Sequence, residues 1–502
     1  MSAPVVIGLD LGTTSVKALA LSEGGEVLAR SGGGYAMYSN TAESGGGGAA
    51  TQDVWEVVRV ALTALEDLTL QLPGMSVQAI VPSAAMHSLV LVGHSGEVLA
   101  PALTWADTRP ADTLNGLHTV LDATVNYALT GCPLQAPYHP ARLWWLRQTR
   151  PELFGRTARF VSLTDLLLHC LTGEWTTSVG LASTTGLWNL HTADWDAGIL
   201  QALGIAESQL PTVRDAREVV GSVQEGPLKG VAVLAGSSDG ALANLGTGAD
   251  LGETVVTVGT SGAVRRLKGG PHLDPQAQTW SYRLDLNTHL IGGAVNNGGL
   301  LIDWFRRGWY SELDAHAGFR QLLSDAESVP AGAEGLTLLP YLTGERSPHW
   351  RNDLSATLHG LRLVHGRAEV ARAALEAVAF SLAQVWELMG SGNTVYSTGG
   401  LASSPVWNGL LANVLNVPVR FSDAADASAI GAALLGHGEP TLQAVRQRAQ
   451  RAEVVWPSEG NAAPLRDAMA RWQALYDKQY GGNLEHGSSW ISGSRVGGGR
   501  ID

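Results

Sequence analysis

The chain has 502 residues, and 33 Lys plus Arg stand against 46 Asp plus Glu, a formal charge of −13. At about 150 residues per domain this length predicts two to four domains, and the acidic balance excludes broad nucleic-acid binding, which needs basic surface to displace counterions, without excluding one small anion in a local pocket. Two cysteines, Cys132 and Cys170, exclude a disulfide framework or a thiolate zinc module.

The opening MSAPVVIGLDLG lacks a basic segment and carries Asp10 inside its apolar stretch, so no secretion signal is expected. The most apolar later window, Val77 to Gly93, is broken by Gln78, Pro82, Ser83 and His87, so no membrane span is expected and a cytoplasmic protein is the simplest reading. VVIGLDLGTTSVKALAL predicts two strands joined by a tight glycine-containing turn. The Gly45–Gly48 run predicts a surface loop. From Asp53, a candidate N-cap, Val54, Val57, Val58, Ala61, Leu62 and Leu65 repeat at helical spacing. AIVPSAAM and SLVLVG predict short strands, Pro140–Gln148 a helix, and 159–171 another.

GVAVLAGSSDGALANLG predicts strand, turn and helix, and GETVVTVGTSGAVRRL repeats the design of the chain's start: a β-branched run, a Gly-Thr-Ser turn, then a run ending in a basic residue. LTLLPYL, an alanine-rich helix at Ala368–Met389 and TVYSTGG continue an alternation that predicts α/β layers. Residues 481–502 lose all periodicity and predict a flexible tail.

Gly, Thr and Ser in a tight turn present backbone N–H groups and hydroxyls, which together make an anion site. Two such turns, Gly12-Thr13-Thr14 and Gly259-Thr260-Ser261, predict a phosphate grip between two halves. Asp10, two residues before the first turn, is a candidate to hold Mg²⁺ through water, and Lys17 beyond it to neutralise phosphate. Asp239 follows a strand and opens a helix, at the strand end that faces the crevice in α/β sheets, where a carboxylate can take a hydroxyl proton. The same segment, Gly236-Ser237-Ser238-Asp239-Gly240, formally fits the G-x-S-x-G of serine hydrolases, with Ser238 as nucleophile. That alternative leaves both turns unexplained. No P-loop sequence is present.

Five segments in order resemble the FGGY family of carbohydrate kinases: IGLDLGTTSVKALAL, GSSDGALANLG, VTVGTSGAV, PYLTGERSPHWRND and STGGLASSPVWNGLLANVLNVPV. The resemblance implies a two-lobed actin-like ATPase (ribonuclease H-like) α/β fold, with duplicated core domains around a central cleft. It implies an N-terminal domain over 1–250, a C-terminal domain over 251–480, and the tail beyond. It also implies ATP and Mg²⁺, with Asp239 as catalytic base and a further candidate metal contact. Thr13, Thr14, Lys17, Gly259, Thr260, Ser261, Gly400 and Ser404 become the expected nucleotide contacts. MHSLVLV and LTWADTR are most similar to gluconate kinases, which puts Met86, His87, Trp105, Asp107 and Arg109 at the sugar; xylulose, ribulose or another polyol is the alternative acceptor. Arg109, His87 and Arg142 are the candidates to meet a gluconate carboxylate. Two departures stand out: Arg142 occupies a position where relatives often carry Lys, and Gly240 one where many carry a hydrogen-bonding side chain. A sugar and ATP are the expected partners, without nucleic acid or membrane; a homodimer is left open.

Overall fold

The computed structural model describes residues 4–40, 48–422 and 426–481. Most of the Gly45–Gly48 run and of the 481–502 segment lies outside the described residues.

The first lobe is built on a mixed sheet. Its strands are β1 (Pro4–Leu11), β2 (Ser15–Ser22), β3 (Val27–Gly34), β4 (Ser76–Ala84), β5 (Val219–Ser222), β6 (Ala232–Leu234) and the short β7 (Ser237–Ser238). They lie in the order β5-β6-β4-β1-β2-β3, with β7 paired to β4. The helices that matter for the site are α1 (Val54–Leu70), α2 (His139–Thr149), α3 (Leu163–Thr172) and α4 (Asp239–Gly246). Asp53 caps α1, accepting from the N–H groups of Trp55 and Glu56.

Strand alternation decides what reaches the cleft. Val5, Ile7 and Leu9 of β1 enter the core under α1, while Val6 enters a second core on the opposite face. Asp10 belongs to the face of Val6 and Gly8, because side chains of a strand repeat every second residue. Its neighbours across the sheet are Lys17 on β2 and Ser83 on β4.

The second lobe repeats the plan. Its strands are β8 (Thr254–Val258), β9 (Gly262–Lys268), β10 (Trp280–Arg283), β11 (His289–Val295), β12 (Val395–Gly399), β13 (Val419–Phe421) and β14 (Val454–Val455). The order is β10-β11-β9-β8-β12-β13-β14. A hairpin, a parallel strand beside its first arm and another parallel strand beyond that occur in both sheets: β1–β2 with β4 and β6, and β8–β9 with β12 and β13. This is the duplicated two-lobed arrangement the two matched turns imply. The helices are α5 (Arg367–Leu388), α6 (Pro405–Leu415), α7 (Ala427–His437) and α8 (Glu459–Tyr480).

The lobes share a core. Val6, Leu19, Leu21 and Val81 from the first sheet pack with Leu242 and Leu245 of α4, Ala429 and Ala433 of α7, and Leu267, Tyr282 and Leu290 of the second sheet. Glycine makes this approach possible. A Cβ on Gly8 would lie 1.9 Å from the Ala429 carbonyl oxygen, and one on Gly431 1.9 Å from that of Leu242.

Helix α8 packs on the segment between β11 and α5. Its Trp472 Nε1 donates to the Leu338 carbonyl at 2.9 Å, His349 stacks on Tyr476 with ring centres 4.1 Å apart, and Tyr480 Oη accepts from the Ser355 N–H at 3.0 Å. The chain departs from expectation at 159–171. Arg159–Val161 is a strand paired with Val90–Val92, and the helix starts at Leu163. Ser162 and Asp165 form a capping box there, a start signal that the run of apolar residues obscures. Among the described residues no helix is long and apolar enough to cross a membrane.

Candidate active site

Each glycine turn joins the two arms of a hairpin, β1–β2 in the first lobe and β8–β9 in the second. In the first, the Gly12 N–H donates to the Ser15 carbonyl at 3.0 Å; in the second, the Gly259 N–H donates to the Ser261 carbonyl at 2.9 Å. A Cβ on Gly259 or Gly400 would meet nothing within 4 Å, so both backbones border open space. Thr14, Lys17, Gly259, Thr260 and Gly400 are exposed, while Thr13 and Ser261 are partly covered. Ser404 is spent locally: its hydroxyl accepts from the Trp407 N–H at 3.3 Å and caps α6.

The duplicated hairpins differ in one chemical respect. Asp10 stands two residues before Gly12 and accepts from Ser83 Oγ at 2.7 Å. Thr257 stands two residues before Gly259, and its hydroxyl meets that of Thr398 at 2.8 Å. One hairpin therefore brings a carboxylate to the cleft and its twin a neutral hydroxyl pair.

Asp239 is the second carboxylate. It opens α4 at the end of β7, and its Oδ1 accepts from its neighbour's N–H, that of Gly240, at 2.6 Å. Burial raises the Asp239 carboxyl above its usual range, opposed by the Arg265 guanidinium and that N–H. Burial pushes Asp10 up to about 7; the Ser83 hydrogen bond opposes this, Asp239 adds to it, and Lys17 offsets it. Lys17 reaches across the lobes, its Nζ 3.2 Å from Asp426 Oδ1, and Arg30 approaches the same carboxylate at 3.1 Å.

A stability prediction follows from Asp10. A carboxyl raised from 3.8 to about 7 in the folded chain keeps its full contribution below about pH 4 and loses it as pH rises through 7. Asp10→Asn is expected to melt higher than the wild type at pH 8, with the gap closing toward pH 5. Differential scanning fluorimetry across that range checks it; a gap that widens toward acid pH contradicts it.

The acceptor side is walled by aromatic rings. The His87 and Tyr138 rings meet edge-on at 4.9 Å, and the Tyr138 and Tyr282 hydroxyls are 2.6 Å apart. Trp105 Nε1 donates to Thr13 Oγ1 at 3.1 Å, which ties this wall to the first turn. The Arg346 guanidinium lies over Trp105 at 5.2 Å, and its Nε donates to Asn296 Oδ1 at 2.7 Å. Glu345, one residue earlier, is pushed up to about 7 by burial against donors from Asn296, Arg346 and Asn297. Burial and Arg142 hold His87 well below its usual value, so its ring is neutral. A small cavity lies between the first turn and this wall, lined by Gly12, Thr13, Met86, Thr104, Trp105 and Thr164.

The structure gathers Met86, His87, Trp105 and Asp239 around the interlobe space. It gives Asp107 and Arg109 mainly to each other. Arg109 donates from Nε at 3.0 Å and from Nη2 at 2.5 Å to the buried Asp107 carboxylate, and it lies over Trp145 at 4.7 Å. Arg142 is fully buried, and its guanidinium donates to the backbone carbonyls of His87, Leu103 and Thr104, so it shapes the wall. Ser238 is buried and its Oγ has no hydrogen-bond partner, so no histidine activates it as the hydrolase alternative requires.

Ser83, Tyr138, Arg265, Tyr282 and Asp426 were not expected at the site. Ser83 arrives through parallel strand register and Tyr282 through the second sheet, neither of which leaves a local pattern. Arg265 had a signal: it is a basic residue in the run after the second turn, as Lys17 is after the first.

The model of the FGGY family of carbohydrate kinases, N-terminal domain, matches residues 5–246, and that of its C-terminal domain residues 254–437. The gluconokinase of Bacillus subtilis (strain 168) is 31% identical over 449 residues, covering 86% of each chain. The xylulose kinase of the same organism is 29% identical over 503 residues, covering 94% of this chain and 96% of that one. Among solved structures, the gluconate kinase from Lactobacillus acidophilus matches with a TM-score of 0.87 at 28% identity, over 95% of this chain and 98% of that one. A ligand-bound xylulose kinase from Lactobacillus acidophilus matches with a TM-score of 0.88 at 27% identity, over 96% and 99%.

Proposed function

Because the chain belongs to the FGGY family of carbohydrate kinases, we propose that it transfers the γ-phosphoryl group of ATP to a hydroxyl of D-gluconate, with Asp239 as general base. The observation that carries this reading is the pairing of two cleft-facing carboxylates, Asp10 and Asp239, with two glycine turns from opposite lobes.

In the proposed reaction the acceptor hydroxyl lies against Asp239, which takes its proton as the oxygen bonds to the γ-phosphorus. The bond from that phosphorus to the bridging oxygen breaks and ADP leaves. Such transfer demands positioning and charge neutralisation more than covalent work by the protein. Backbone N–H groups and hydroxyls of Thr13, Thr14, Thr260 and Ser261 hold phosphate oxygens, while the exposed backbone of Gly400 borders the nucleotide. Trp105 gives its face to the C–H bonds of the acceptor, and a neutral His87 exchanges hydrogen bonds with its hydroxyls. A base raised by burial works less as pH falls, so turnover is lost toward acid pH.

The donor set fits Mg²⁺: Mg²⁺ keeps most of its water and takes one or two carboxylates plus substrate phosphates, and Asp10, with Asp239 beside it, supplies that. When bound, the ion neutralises charge on the phosphate oxygens.

Gluconate is favoured by the gluconokinase relatives at 31% identity. Xylulose is the second reading, supported by the xylulose kinase that covers 94% of this chain. An ATP-coupled assay over gluconate, xylulose, ribulose and glycerol tests both. Gluconate is expected to give the highest kcat/KM; a pentulose giving the highest would replace it.

A further inference from the structure

Gly240 leaves a gap beside Asp239 that is filled from the other lobe. A Cβ at this position would lie 3.0 Å from Arg265 Nε and 3.5 Å from Met86 Cε. Arg265 stands on β9, four residues after Ser261, and its side chain reaches across to Gly240 of the first lobe. Its Nη1 donates to Thr257 Oγ1 at 3.4 Å, while its Nε is buried without a hydrogen-bond partner. A buried guanidinium donor left unpaired is costly and marks a place where an acceptor is missing.

A second cation stands close by. Arg346 lies over Trp105 and within the repelling field of Arg265. Tyr282 lies in the field of both, its hydroxyl paired with Tyr138. Two neighbouring guanidiniums facing one apolar-walled cleft are stabilised when an anion sits between them. The other cations of the region are committed: Arg142 to three backbone carbonyls and Arg109 to Asp107. Asp239 lies in the field of Arg265, and in the reaction proposed above its carboxylate is engaged with the acceptor hydroxyl.

We propose that Arg265, seated in the gap left by Gly240 and flanked by Arg346, is the residue that reads the carboxylate of an acidic sugar. This rests on the gluconate reading of the site. Guanidinium and carboxylate match in planar geometry, and Nε with one Nη offers the two parallel donors such a pair uses. The missing side chain at 240 is what lets the guanidinium reach that place.

The test compares gluconate with D-glucitol, which carries a neutral CH₂OH where gluconate carries its carboxylate. Binding of each is measured by calorimetry, so the neutral ligand need not turn over, alongside kcat and KM for gluconate. Arg265→Met is expected to weaken gluconate by about 10²-fold in KM and Kd and to cut the gluconate-to-glucitol affinity ratio as much. Arg265→Lys restores part of that ratio, since charge returns without the fork. Gly240→Ala, which must push the guanidinium by a few tenths of an ångström, weakens gluconate by a smaller factor. ADP binding and an unchanged melting profile report that each variant folds; if Arg265→Met does not fold, the other two variants carry the test. Equal losses for gluconate and glucitol, or a fall in kcat with gluconate KM unchanged, would overturn the proposal and assign Arg265 to Asp239 instead. A wild type that ignores gluconate and phosphorylates a neutral pentulose would defeat the substrate reading itself, an outcome visible before any variant is made.

Discussion

Asp239→Asn is expected to lower kcat by about 10²–10⁴-fold, the range for a lost general base, with ATP affinity changed by less than about threefold. Asparagine keeps the side chain's shape and an oxygen for the Gly240 N–H, now held at 2.6 Å, so the start of α4 stays formed. What it removes is the capacity to accept a proton next to the acceptor hydroxyl. Single-turnover quench-flow reads the chemical step, and calorimetry with ATP reads binding. The loss of turnover toward acid pH should also vanish in the variant, because the titrating group is gone. Transfer near the wild-type rate would remove Asp239 from the base role.

Gly431→Ala is expected to lower the thermal midpoint by about 1–6 °C, although glycine-to-alanine inside a helix ordinarily stabilises by up to about 1 kcal/mol. The sign reverses because the new methyl would lie 1.9 Å from the Leu242 carbonyl oxygen and 2.6 Å from its carbon. These are backbone atoms of α4 and have no rotamer to yield, so α7 must lift away. Overpacking of this kind costs about 1–3 kcal/mol. Asp239 stands three residues before Leu242 on the same short helix, so kcat should fall with the midpoint. A midpoint equal to or above that of the wild type would show that the two helices are not held this tightly.

Local chemistry is what the sequence carries well. The two turns, the strand before Asp239 and the cap at Asp53 each rest on residues within a few positions of one another, and all appear where periodicity and turn chemistry put them. The duplicated topology could be inferred from the likeness of Gly12-Thr13-Thr14 to Gly259-Thr260-Ser261. Partnerships across the fold were not legible. Ser83 meets Asp10 through a parallel register between residues 73 positions apart. Lys17 reads as a phosphate ligand in a window of 17 residues, yet it faces Asp426 at 3.2 Å across the lobes. Arg109 reads as a substrate cation because its segment carries Trp105 and Asp107. Only the structure reveals that a carboxylate two residues away takes its donors. The same limit hid Arg265, whose relation to Gly240 is a matter of space between a helix of one lobe and a strand of the other.

The clamp of α8 on the 338–355 segment bears on where the chain can be cut. The family match stops at residue 437, and a shortened version ending there would look complete by homology. It would lack Trp472, Tyr476 and Tyr480, whose rings and hydroxyl fasten Leu338, His349 and Ser355 on either side of Glu345 and Arg346. The smallest fragment worth expressing therefore extends to Tyr480, well past the recognisable boundary, and a deletion series should find its break in the helix rather than at the end of the match.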